Sequence, residues 1–303
     1  MKRWVSLVAV VLIASVPFAV PAAAQTGPAD PVQALKRQFR AERGVHIAEV
    51  TRLVFDEKNS VRFRYNGRVQ LGPSGPVASD STLQLVIDPP LRKLLEQTLE
   101  GESEGGSGDA SKGLGLEEPH HAIAVGGYHY TSDGILPLPH GKTWVRRPGP
   151  GRLLNVATVQ PIDVFEPAVL KTMLRGAKGE PVSGGLFYQG TVSYAQLAKA
   201  SRHASWQLTG MTLFGDAKKK IAWRLWTDGT GLPTRLMTVQ NSRWDEDTSL
   251  IQRTDTRYGD WGSHILVMAP PADEVVDEKE LSYDPFDVTE PKELINTLSG
   301  STR

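Results

Sequence analysis

The sequence predicts a mainly β protein (α+β), built on a curled antiparallel sheet with one dry face and one wet face. The first observation is the stretch V-R-F-R-Y-N-G-R-V-Q-L. It puts Val61, Phe63, Tyr65, Val69 and Leu71 on one parity, and Arg62, Arg64, Asn66, Arg68 and Gln70 on the other. Side chains alternate across a strand with period two, so one face meets an apolar interior and the other meets water. That is the pattern of an antiparallel sheet solvated on one side. The second observation is that the alternation returns. Leu83, Leu85 and Ile87 share a parity between Ser81 and Asp88, and Ile221, Trp223 and Leu225 do so between Ala217 and Thr227. The third is Gly67, which interrupts the first apolar row where a side chain should pack. It predicts a bulge or bend that curls the sheet and gives it an inside.

The chain begins with Lys2 and Arg3, runs through an uncharged apolar segment from Trp4 to Val20, and then reads P-A-A-A-Q. This is the pattern of a secretory signal peptide, with Ala22 and Ala24 fitting the small-residue rule for cleavage before Gln25. Residues 1–24 are thus expected to be removed, the alternative being an uncleaved membrane anchor. No cysteine follows the apolar run, so the usual bacterial lipid attachment is not expected, and a freely secreted protein is. The chain has no cysteine at all, so packing must replace the disulfides that such a compartment permits. Basic and acidic residues balance at 34 each and are interspersed. The count predicts no polyanion-binding face, which argues against nucleic acid as a partner.

Along the mature chain, Asp30-Pro31 places a capping side chain before a proline at the first helical position. Val32, Leu35 and Phe39 follow at helical spacing and Gly44 supplies the stop, predicting a helix from Pro31 to Arg43. Val45 to Phe55 pairs with Val61 to Leu71 as a hairpin across Asp56-Glu57-Lys58-Asn59. The strand Ser81 to Asp88 stops at Pro89-Pro90, a short helix follows from Leu91 to Glu100, and the glycine- and serine-rich run Gly101 to Gly115 reads as a mobile loop. Strands are then expected at Ala122 to Thr131, Lys142 to Arg147 and Arg152 to Gln160, and a helix from Val164 to Gly176. The second half repeats the strand pattern at Gly185 to Val192, followed by a helix from Ala195 to His203. Ala217 to Thr227, Leu232 to Asn241, Ser249 to Asp260 and Ser263 to Met268 form a meander. Past Pro270-Pro271 the chain turns acidic, and Thr289 to Leu298 is read as a last helix in a tail of residues 282–303.

Reactive constellations are sparse. His120-His121 with His129 is the one histidine cluster, and a single strand through Ala122 to Thr131 would set His121 and His129 on one face. No cysteine and no H-E-x-x-H accompany it, so surface histidines are preferred to a metal site. Asp245-Glu246-Asp247 lies between two strands, where Asp is an ordinary turn residue. Paired carboxylates acting as acid and base need a cleft that separates their pKa values. No serine sits in G-x-S-x-G. These residues point away from an enzyme.

Several stretches, in order, carry a family resemblance. They are V-G-G-Y-H-Y followed by G-K-T-W-V (Val125 to Tyr130, Gly141 to Val145), L-K-T-M-L-R-G-A (Leu170 to Ala177) and F-Y-Q-G-T-V-S (Phe187 to Ser193). After them come L-W-T-D-G-T-G-L-P-T-R-L (Leu225 to Leu236), then R-Y-G-D-W-G-S and A-P-P-A-D-E-V (Arg257 to Ser263, Ala269 to Val275). The set resembles actinobacterial secreted proteins and lipoproteins of the LppX/LprG type, related in fold to the periplasmic lipoprotein carrier LolA. The resemblance implies a strongly curved, half-open antiparallel β-barrel over residues 25–281, with helices closing the mouth. Pro31 to Arg43 and Val164 to Gly176 would be its lid. It also implies a cavity that holds lipid acyl chains, with no catalytic residue, cofactor or metal to carry over. The acylated cysteine of the lipoprotein members is missing here.

The function expected is therefore a secreted, non-enzymatic, monomeric binding protein. It would hold a lipid or other amphiphile for transfer across the cell envelope, with transient contacts to a membrane surface or an envelope protein. Parity selects Phe63, Tyr65, Leu85, Ile87, Trp223 and Leu225 as residues lining the inside. Apolar walls alone suffice energetically: about twelve buried methylenes contribute roughly 10 kcal/mol gross. After association costs, this leaves room for micromolar binding, about −8 kcal/mol. The alternatives are an envelope sensor or protein-interaction module on the same fold, and an extracellular hydrolase using His121 or the acidic residues.

Overall fold

The computed structural model of the chain describes residues 29–56, 59–93, 118–132, 138–149, 158–202, 219–243 and 249–281. Its strands form one curved, unclosed sheet made of two meanders joined in the middle. The first wing is β1 (Arg43–Val54), β2 (Ser60–Gly72), β3 (Gly75–Ile87), β4 (His120–Val125), β5 (Tyr128–Thr131) and β6 (Trp144–Pro148), each antiparallel to the one before. The second is β7 (Glu180–Val182), β8 (Gly185–Ser193), β9 (Lys220–Asp228), β10 (Pro233–Arg243) and β11 (Ser249–His264), also antiparallel throughout. The long β11 returns beside β1 and joins the wings, while β12 (Val275–Asp277) adds to the far edge, parallel to β6.

The expected parity holds along β2, where Tyr65, Val69 and Leu71 are buried and Arg64, Asn66 and Arg68 are exposed. Gly67 marks no bulge, because β1 and β2 stay in register across it. A Cβ there would stand 2.6 Å from the Tyr65 hydroxyl and 2.8 Å from Ser81 Cβ, so the missing side chain makes room for the tyrosine. The register shifts fall instead between Gly44 and His46 in β1, between Gln70 and Leu71 in β2, and between Pro233 and Arg235 in β10.

Among the described residues three short helices, none longer than eight residues, pack on the inner face, and residues 89–93 are also helical, so the helix expected from Leu91 starts at Pro89. Helix α1 (Pro31–Gln38) is capped by Asp30, which accepts from Val32 N at 2.9 Å, and carries Lys36 and Arg37 at its C-terminal end. It stops well before Arg43, because Arg43 is already paired with strands on both sides. Gly44 is therefore no helix stop. It lets Ile265 and the Val69 carbonyl approach to positions 2.6 Å from where a Cβ would be. Helix α2 (Pro167–Met173) is shorter than its apolar spacing suggests, since Asp163 accepts from Phe165 N at 2.8 Å and holds a turn before it. Helix α3 (Tyr194–Ala200) starts in a capping box between Ser193 and Gln196. Glu166 ties α2 to its end by accepting from Ser201 Oγ at 2.8 Å and Arg202 N at 2.9 Å. Leu35, Leu170, Met173 and Leu197 meet Val45, Leu71, Ile221 and Leu236 in one apolar core.

Other expectations are corrected. Ala122 to Thr131 is two strands, since Gly126 (φ 62°) and Gly127 (φ 81°) make a tight turn. Residues 158–160 form no strand. Beyond β11, residues 265–268 do not continue the meander. They cross the outer face of the first wing, where Ile265 and Val267 pack on Ala78, Ile123 and Tyr130 in a second core, and Val267 N donates to Gln70 Oε1 at 2.9 Å. The signal segment, the glycine-rich run, Asp245-Glu246-Asp247 and the last helix lie outside the described residues. Among the described residues no helix is long and apolar enough to cross a membrane.

Candidate functional site

The inner face of the sheet has three zones. Under the helices it is dry: Tyr65 (2% exposed), Trp223 (3%) and Leu225 (0%) are part of the core. Of the six residues selected by parity, these three lie buried in the main core cluster.

The other three, Phe63, Leu85 and Ile87, are half-buried and lie together on β2 and β3. Register sets Leu53, Val61 and Ile87 in one row across β1, β2 and β3, with Phe63 beside Leu85 in the next and Leu83 beside Tyr65 in the third. All six of Leu53, Val61, Phe63, Leu83, Leu85 and Ile87 are half-buried, so at this end of the inner face β2 and β3 present an apolar surface that Leu53 alone extends onto β1. Next to it the floor is small, with Gly67, Ser81 and Ala122 in one row and Ser79 beside Ala124 in another.

Between core and patch runs a polar lane. Glu49, Thr51, Thr254, Thr256, Thr238 and Gln252 all point inward and are buried. The segment Thr158 to Gln160 is strapped over them. Glu49 accepts from Val159 N at 2.9 Å, from Thr256 Oγ1 at 2.8 Å and from Thr158 Oγ1. Gln160 donates to Thr256 Oγ1 at 2.9 Å and accepts from Thr238 Oγ1 at 2.8 Å, while Gln252 donates to the Val159 carbonyl at 3.1 Å. Burial pushes the Glu49 carboxyl above its ordinary range, and these donors pull against it. Sequence reasoning missed this lane. Its signal was Glu49 and Thr51 occupying the same parity as Val45 and Ile47, a polar break in an inward row.

The histidines divide. Because the chain turns at Gly126-Gly127, Ala124 pairs with His129, so His129 shares the inner face with His120, while His121 points outward. There His121 bonds Asp80 at 2.6 Å and meets the Trp144 ring edge-on at 4.9 Å. The expected pairing of His121 with His129 is thus overturned, and no group of metal-ligating side chains occurs among the described residues.

What fold and site define together is a class: an open, curved sheet whose inner face is plugged by helices at one end and left apolar at the other. Among solved structures the chain is similar to the LolA superfamily protein NE2245 from Nitrosomonas europaea, at 10% identity. The match covers 80% of this chain and 93% of that one, with a TM-score of 0.27. It is also similar to a DUF1329 family protein from Desulfovibrio piger, at 8% identity over 79% and 95% of the two chains, with a TM-score of 0.24. The fold rests on the strand order above. No protein-family model matches the sequence, and no curated protein matches it.

Proposed function

We propose that the chain is a secreted, non-enzymatic protein with a LolA-like half-barrel, and that it holds a lipid or other amphiphile against the inner face of its sheet. The observation that carries this is the half-buried apolar surface around Phe63, Leu85 and Ile87, which the helix-capped core does not use. Each methylene buried there contributes about 0.8 kcal/mol, so an acyl chain binds without any special polar contact. The resemblance of the sequence motifs to lipid-holding envelope proteins supports the same reading, and residues 1–24 supply the expected export signal.

The test is an organic extract of the protein purified from its own secretory route, analysed by mass spectrometry beside a control protein, together with uptake of a fluorescent fatty acid. A stoichiometric amphiphile, and loss of uptake in a folded Leu85→Glu variant, are expected. Leu85 is half-buried and tolerates a charge, whereas Trp223, at 3% exposure, does not. An empty wild-type protein that takes up no lipid overturns the proposal.

A further inference from the structure

The outer face of the central strands carries a charge pattern that the inner-face site leaves unused. Register sets Arg62, Arg52 and Arg253 side by side on β2, β1 and β11. Like charges directly opposed in a sheet cost stability. Among the described residues, the one carboxylate paired with this trio is Asp88, 3.5 Å from Arg52 and 3.8 Å from Arg62. In the neighbouring rows Arg257 stands directly opposite Arg235, and Arg64 and Arg224 share the outward parity. Arg235 is satisfied by Asp255 through two bonds of 2.8 and 2.6 Å, and Arg68 by Asp80 at 2.7 Å. Arg64, Arg224, Arg253 and Arg257 are exposed and make no hydrogen bond or ion pair among the described residues. Eight arginines thus share the outward parity of these strands, and Asp88, Asp255 and Asp80 pair with four of them.

We propose that this face docks the protein on an anionic lipid bilayer. The unpaired guanidiniums offer planar donor sets that suit phosphate oxygens. They spread over five adjacent strands from β2 to β9, about 19 Å at the usual spacing of about 4.8 Å. Such a broad field matches many headgroups better than a single bound anion. Exposed Val50 (44%) and Val239 (38%) lie among the arginines and give the face an apolar component suited to a membrane interface. The rest of the outer surface differs, because residues 265–268 cover the first wing. The choice of a bilayer over an acidic protein rests on the lipid-binding reading, while the arginine field itself does not.

The test is co-sedimentation of the full secreted chain with phosphatidylcholine vesicles containing phosphatidylglycerol, against pure phosphatidylcholine vesicles. Each basic residue at an anionic surface contributes about fivefold in affinity. The triple variant R64Q/R253Q/R257Q is therefore expected to bind about 100-fold more weakly, and wild-type binding to fall in high salt. The corresponding lysine triple keeps the charge and is expected to retain binding. Circular dichroism establishes that both variants fold. Equal binding of the glutamine triple and wild type, equal binding of wild type to both vesicle types, or retention on heparin without vesicle binding each overturns the proposal. Fatty-acid uptake from solution is expected to be unchanged in the glutamine triple. Docking that persists in a protein unable to take up lipid overturns the inner-face reading and leaves the docking face standing.

Discussion

Removing the Glu49 carboxylate tests whether the polar lane is held by one buried acceptor. In Glu49→Ala the Val159 N–H loses its 2.9 Å partner and the hydroxyls of Thr158 and Thr256 lose theirs. The hydroxyls can rotate to other acceptors. The backbone N–H cannot, and a buried unsatisfied donor costs about 1–3 kcal/mol. The space left by the side chain adds about 1–2 kcal/mol more. Against this stands relief of the carboxylate's own desolvation, the cause of its raised pKa. The net loss expected is about 2–4 kcal/mol. Glu49→Gln keeps an acceptor for Val159 and offers its amide to the two hydroxyls, so its cost is expected to stay within about 1 kcal/mol. Urea unfolding followed by tryptophan fluorescence reads both variants. If alanine and glutamine cost the same, or alanine costs less than about 1 kcal/mol, Glu49 does not hold the strap and the reasoning fails.

Gly67→Ala puts a methyl group 2.6 Å from the Tyr65 hydroxyl and 2.9 Å from the Asp80 carbonyl oxygen, so it is expected to destabilise by about 1–3 kcal/mol on the same unfolding curves; a neutral result would show that Tyr65 can swing away. The Asp163 carboxyl is pushed up to about 7 by burial and by the neighbouring Glu166 charge, and Glu49 is raised by burial. A raised acid binds more protons folded than unfolded, so its contribution to stability grows as pH falls from about 8 to 5 and is lost as pH rises through the folded pKa. His129, lowered by burial, works the other way in this window, so the comparison with Asp163→Asn isolates the acid: the wild type is expected to gain stability relative to the variant as pH falls from about 8 to 5, and an unchanged difference between them would remove Asp163 from the account.

The strand pattern was legible because alternation belongs to the backbone. Wherever β2 lies, Tyr65 and Val69 face one side and Arg64 and Arg68 the other, and the cap at Asp30 reads as a helix start in any context. The inward parity of Glu49 and Thr51 is equally visible, but nothing local says which donors will meet them. The turn at Gly126-Gly127 is masked in the sequence because the residues on both sides continue the strand pattern. It places His129 on the face opposite to His121.

The sequence by itself determined a largely neutral, cysteine-free chain of two-faced strands and the parity of nearly every inward residue. The tertiary structure alone decided which inward residues meet. Long-range register buries Trp223 and Leu225 under the helices, leaves Phe63 and Leu85 half-open, and sets Arg62, Arg52 and Arg253 shoulder to shoulder. Parity follows from a rotation of half a turn per residue along one strand. Neighbourhood follows from pairing between strands as far apart as β1 and β11, and no local pattern records which residues that pairing will bring together.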